Sequence, residues 1–194
     1  MHIMRAFIAV EIPLEVKQNL LEEIDRLRVL ICGQTVRWVK PVGIHLTLKF
    51  LGEITAEQVG EINKVLEREI DRLSSFTLDV GGFGCFPNNR RPRVLWIGIT
   101  GETDPLLKAQ SVIEENLVSL GFDHERRPFR PHLTLGRVRR NLSFSDLSRI
   151  EDAMRSYEVG QVGQFKVSKL YLIRSTLKPT GAEYSNLGEY RMGR

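Results

Sequence analysis

His45-Leu46-Thr47-Leu48 and His132-Leu133-Thr134-Leu135 are two copies of one tetrapeptide in a single chain. Side chains alternate between the faces of a β-strand, so in each copy the histidine and threonine share one face and the leucines share the other. Such a strand lays an apolar face on a core and presents an imidazole beside a hydroxyl on the opposite side. A lone His-x-Thr reads as a half-buried strand surface, because short motifs recur by chance. Here, however, the whole chain has four histidines, and two of them sit in the same frame. Two such strands facing one cleft offer two imidazoles and two hydroxyls to one small anion, a set suited to acid–base chemistry on a phosphodiester.

Outward from the motifs, apolar spacing and punctuation predict alternating strands and helices. The first half reads as a strand at 5–12, a helix at 14–30, strands at 36–39 and 45–52, a helix at 56–73 and a strand at 77–86. The helices rest on Leu20, Ile24, Leu27 and Leu30, and on Val59, Ile62, Leu66 and Ile70. Thr55, followed by Ala56, Glu57 and Gln58, fits a helix N-cap. The second half reads as a strand at 93–100, a helix at 105–120 stopped by Gly121, the motif strand at 131–138, a helix at 145–157 and strands at 164–174 and 183–190. Each half thus offers a sheet with helices on one side. The expected fold class is α+β. Residues 1–194 form one bilobal domain of two pseudo-symmetric lobes, each a mainly antiparallel sheet with helices on its outer side, facing a central cleft that brings the motifs together.

With 194 residues, 42% hydrophobic and 27% charged, the chain can bury a proper core. No apolar run approaches the ~20 residues of a membrane-spanning helix. Ile8-Ala9-Val10 is cut short by Glu11 and lacks the apolar length of a signal peptide. The expected location is the cytoplasm, with no membrane partner. The net charge of +4 is compatible with an anionic substrate. Cys32 and Cys85 form no C-x-x-C pair, and two buried free thiols are the expected reading rather than a disulfide. There is no H-E-x-x-H, no carboxylate pair beside either motif histidine and no cysteine cluster, so neither metal nor cofactor is expected. Gly81-Gly82-Phe83-Gly84 lacks phosphate-loop spacing and reads as a bend or bulge.

The chain resembles the 2H phosphoesterase superfamily, and within it the RNA 2′,3′-cyclic phosphodiesterases, or 2′–5′ RNA ligases of the LigT/ThpR type. The resemblance runs from Met4-Arg5-Ala6-Phe7-Ile8-Ala9-Val10-Glu11-Ile12-Pro13 through Val39-Lys40-Pro41 and His45-Leu46-Thr47-Leu48-Lys49-Phe50-Leu51-Gly52-Glu53. It continues in Arg91-Pro92-Arg93-Val94-Leu95-Trp96 and Arg130-Pro131-His132-Leu133-Thr134-Leu135-Gly136-Arg137. It implies a LigT-like fold and metal-independent hydrolysis of RNA 2′,3′-cyclic phosphate ends to 2′-phosphomonoesters, tRNA fragments being one source of such ends. It makes His45 the proton donor to the leaving O3′ and His132 the proton acceptor from water. Thr47 and Thr134 would bind the phosphate. The same pair would also join a cyclic phosphate to a 5′-hydroxyl, giving a 2′–5′ linkage. A monomer is expected, since the fold would close its own site.

Three basic residues are candidate substrate ligands. Arg130 and Lys49 are in phase with the motif histidines. Arg137 matches an arginine of the family, yet strict alternation puts it on the face opposite His132, so it needs a bulge to reach the cleft. Asn88-Asn89-Arg90-Arg91-Pro92-Arg93 is a basic turn able to track an RNA backbone. Trp96 beyond it is either an aromatic platform for a base or a core residue, and Leu95-Trp96-Ile97 reads as buried, which favours the core. Phe50 and Phe129 are core or cleft wall, His124 lies on a surface loop, and His2 belongs to an unstructured end. Two other readings stay open. One is a 2H phosphodiesterase acting on another cyclic or 2′–5′ phosphodiester, such as ADP-ribose 1″,2″-cyclic phosphate. The other is an RNA-end-binding module without turnover.

Overall fold

The structure, a computed structural model, describes residues 3–179 and 181–193. Its first strand, β1 (Ile3–Glu11), is buried at five consecutive positions, Ala6 to Val10. Continuous burial of this kind marks a strand covered on both faces. β1 is indeed central in a four-stranded antiparallel sheet whose order is β3 (His45–Thr55), β1, β8 (Lys169–Lys178), β9 (Gly181–Arg191). The second sheet has five strands in the order β2 (Val36–Trp38), β6 (His132–Val138), β5 (Val94–Gly101), β4 (Phe76–Phe86), β7 (Gln161–Val167). The two motif strands therefore lie in different sheets, as the bilobal expectation requires.

The lobes, however, are not the two halves of the chain. The first sheet takes β1 and β3 from the start and β8 and β9 from the end, while β2 and β4 join the second sheet. The helices are exchanged as well. Helix α1 (Leu14–Ile31) follows β1 yet packs on β7 and on α4 (Phe144–Ser156). Helix α2 (Ala56–Ile70) packs on β3 and β9, with α3 (Thr103–Val118) beside it. The continuous strand expected at 164–174 is two strands that part at Ser168, where the chain crosses from one sheet to the other. No glycine or proline marks that crossing; the buried alternation of Phe165 and Val167 slips by one residue there and resumes at Leu170 and Leu172.

The helices form where the spacing predicts. Val16, Leu20, Ile24, Leu27 and Ile31 make the buried stripe of α1. Burying side chains of this size stabilises by roughly 1.5–3 kcal/mol each. Thr55 caps α2 in a reciprocal capping box with Gln58, and Ser143 does the same for α4 with Asp146. The expected bulge in Gly81–Gly84 is present: the β4–β5 register shifts between Gly81 and Phe83, with Gly82 at φ +72°. One apolar core spans both lobes and contains the motif leucines Leu46, Leu48, Leu133 and Leu135 together with the faces of α1, α2 and α3. Both cysteines are free. Cys85 is buried, but Cys32 is exposed at the C-terminal cap of α1, which corrects the expectation of two buried thiols. Among the described residues, no helix is long and apolar enough to cross a membrane.

Candidate active site

His45 and Thr47 are half-buried on one face of β3, with Leu46 and Leu48 buried beneath them; His132 and Thr134 repeat the arrangement on β6 over Leu133 and Leu135. Each motif then ends in a β-bulge. On β3, Thr47 pairs with Ala9 and Lys49 with Ile8, so Leu48 is the extra residue. On β6, Thr134 pairs with Trp96 and Gly136 with Leu95, so Leu135 is the extra residue. A bulge shifts the alternation by one position, and every side chain beyond it changes face.

The bulges decide the fate of two candidate ligands. Lys49 is turned onto the core face, against the in-phase expectation. Its ammonium lies 2.5 Å from the Glu114 carboxylate and donates to the Asp123 carbonyl at 2.8 Å, and the Lys49 and Glu114 side chains are each 3% exposed. Lys49 is thus a buried structural cation and does not face the cleft. Arg137 is turned the other way. Pairing with Val94 and with Arg37 of β2, it joins the face that carries His132 and Thr134. Its charge acts on His132 and also on Tyr184 of the other sheet, so Arg137 sits where the lobes face each other. Register gives the matching position on β3 to Phe50, which pairs with Phe7 and is 71% exposed.

Aromatic rings enclose both histidines. Phe7 stacks on His45 at 4.5 Å between centroids, and Tyr184 meets it edge-on at 5.3 Å. Phe86 meets His132 edge-on at 4.9 Å, with Trp96 at 6.4 Å. Trp96 therefore lies on the cleft side of β5 and not in the core, a correction to its sequence reading. Glycine at position 84 makes this possible, since a Cβ there would collide with the indole. Phe129 is partly buried against the main core, and His124 is exposed on its loop. His2 lies outside the described residues.

Burial pushes the His45 pKa down to about 4, helped by the positive charge of Lys17. Burial also lowers that of His132, with Arg137 adding to the effect and a bond to the Arg130 carbonyl opposing it. That bond joins Nδ1 to the Arg130 oxygen at 2.7 Å. A carbonyl only accepts, so Nδ1 carries the proton and Nε2 is left with its lone pair. Arg130 thus acts on the site through its backbone; its exposed side chain has no partner among the described residues. The hydroxyls of Thr47 and Thr134 likewise have no protein partner among the described residues and remain available as donors. A cavity of about 140 Å³ opens beside His45, lined by Glu11, Lys17, Val42, Tyr184 and Asn186. Among the described residues, no group of three or more His, Cys, Asp or Glu side chains is arranged to hold a metal.

Phe7, Tyr184, Phe86 and Lys17 were not legible as site residues. Only Phe7 lies in a stretch that carried the family resemblance. Tyr184 reaches His45 through the β1–β8–β9 pairing and has no local signal.

Residues 16–179, a span that holds both motif strands, match the family model of the 2'-5' RNA ligase superfamily. The chain belongs to the 2'-5' RNA ligase superfamily. Within this superfamily it is 36% identical over 186 residues to the RNA 2',3'-cyclic phosphodiesterase of Thermotoga maritima, covering 96% of this chain and 94% of that one. It is 32% identical over 187 residues to the protein of the same name from Methanocaldococcus jannaschii, covering 96% and 100%. Among solved structures, TT0787 of Thermus thermophilus aligns at a TM-score of 0.76 and 29% identity over 97% of both chains. Apo LigT of E. coli aligns at 0.77 and 23% identity over the full length of both, a likeness of fold alone.

Proposed function

We propose that the protein hydrolyses the 2′,3′-cyclic phosphate end of RNA to a 2′-phosphomonoester, with His132 as general base and His45 as general acid and with no metal ion. The paired His-x-Thr strands carry this reading, with the charge of Arg137 acting in both lobes. Relatives named RNA 2',3'-cyclic phosphodiesterase over nearly the whole chain support the substrate class.

The chemistry follows from the protonation states. His132 holds its Nδ1 proton against Arg130, so the Nε2 lone pair takes a proton from water as the new O–P bond forms. His45 gives a proton to O3′ as the P–O3′ bond breaks. The unpartnered hydroxyls of Thr47 and Thr134 donate to the two non-bridging phosphoryl oxygens, and Arg137 opposes the added negative charge. With a 5′-hydroxyl in place of water, the same two transfers give a 2′–5′ linkage. All of these groups come from one chain, which supports a monomeric enzyme.

The test is incubation of an RNA oligomer ending in a 2′,3′-cyclic phosphate with EDTA present, followed by analysis of the end formed. A 2′-phosphate is expected. A 3′-phosphate would reverse the placement of acid and base about phosphorus, and activity that requires added metal would contradict the two-histidine mechanism.

A further inference from the structure

A second basic site lies beyond the end of the motif strand. A cavity of about 290 Å³ is lined by Arg90, Arg91, Arg93 and Arg139, with Asn141 and Leu147. No acidic side chain lines it. None of the four guanidinium groups forms an ion pair among the described residues, whereas Arg149 on the neighbouring α4 is paired with Asp146. The acid nearest in sequence to its α4 wall, Asp146, is occupied by its capping box and by Arg149. Four uncompensated like charges around one hollow repel one another, and a bound polyanion removes that cost.

The hollow and the candidate active site are joined by one strand. β6 carries His132, Thr134 and Arg137 on its cleft face, and Arg139 follows one residue past its end. The Val138 N–H donates to the Arg93 carbonyl at 3.0 Å, which ties the 88–93 turn to that end. At roughly 3.3 Å per strand residue, His132 and Arg139 are at most about 23 Å apart along the strand. That is the span of a few nucleotides of extended chain.

We infer that this arginine pocket binds a backbone phosphate of single-stranded RNA a few nucleotides from the reacting end. The protein therefore acts on chains in preference to mononucleotides. The inference rests on the proposed function, and the test separates the two. kcat/KM is measured for a mononucleoside 2′,3′-cyclic phosphate and for an RNA of about ten nucleotides with the same end, in the wild type and in R91Q/R139Q. The mononucleotide is too short to reach the pocket and reports the motif site alone. Binding of a ten-nucleotide RNA with a 3′-hydroxyl end is followed in parallel by fluorescence anisotropy across salt concentrations.

The expected result is a loss of about tenfold on the long RNA with the mononucleotide rate retained, and a salt slope shallower by about 0.7 for each phosphate contact removed. Equal rates on both substrates in the wild type, or equal losses on both in the variant, would overturn the pocket assignment. A wild type inactive on both substrates would overturn the proposed function. In that case RNA binding lost in R91Q/R139Q still upholds the pocket, and binding unchanged in the variant overturns it.

Discussion

Phe7 stacks on the imidazole of His45, ring planes within 26° and centroids 4.5 Å apart. The ring covers one face of the imidazole and, with Tyr184 at its edge, takes water away from the charged form. Desolvation disfavours an imidazolium, and with Lys17 nearby the His45 pKa falls to about 4. In the unfolded chain it returns to ~6.5. Between these values the unfolded state binds more protons, so stability rises with pH across that window and falls as pH drops through it. The contribution is at most about 3 kcal/mol. Urea unfolding at pH 7.5 and pH 5.0 checks it: the wild type loses stability at the lower pH and His45→Gln loses less. Equal losses would contradict the burial account.

The same low pKa bears on catalysis. A general acid must hold its proton, and in the empty site His45 gives its proton up early. A bound phosphodiester places a negative charge beside the imidazole and raises its pKa. The basic limb of kcat, which reports the complex, is therefore expected at higher pH than the basic limb of kcat/KM, which reports the free enzyme. Parallel pH profiles of the two constants test this; coincident basic limbs would contradict it.

Lys49 and Glu114 form an ion pair inside the protein, and Glu114 also accepts from Gln110 and from the Glu125 backbone. Removing one partner leaves a buried charge alone, which costs ~3–5 kcal/mol. Lys49→Met is expected to lose about that much stability by urea unfolding, and Lys49→Met with Glu114→Leu to recover most of it. A Lys49→Met protein of normal stability with a raised KM would instead return Lys49 to the phosphate.

The threonine hydroxyls have no protein partner among the described residues, so their removal is expected to spare the fold and weaken the reaction. Thr47→Val and Thr134→Val should each lower kcat by about 10²–10³, with thermal unfolding close to wild type and Thr→Ser restoring most of the rate. Near-normal kcat in both valine variants would remove the hydroxyls from the mechanism.

The motif strands, the Thr55 cap and the Gly81–Gly84 bulge were all legible because each rests on local rules: alternation, capping chemistry and glycine's tolerance of positive φ. The bulges at Leu48 and Leu135 were not, since no residue type announces them, and they alone send Lys49 inward and Arg137 outward. The crossing at Ser168 has no glycine or proline to announce it, and its trace in the sequence is a one-residue slip of the apolar alternation, from Phe165 and Val167 to Leu170 and Leu172. The assembly of the lobes from interleaved strands, and with it the approach of Tyr184 to His45, depends on pairings between distant segments that sequence order leaves open.

The central claim is that His45 and His132 share one reaction. Single-turnover hydrolysis of a cyclic-phosphate RNA, with EDTA present, is measured for the wild type, His45→Ala, His132→Ala and the double variant, each confirmed folded by circular dichroism. Each single substitution is expected to cost at least ~10²-fold, and the double variant to cost far less than the product of the two, as groups acting in one step do. Either single variant turning over at the wild-type rate would contradict the account.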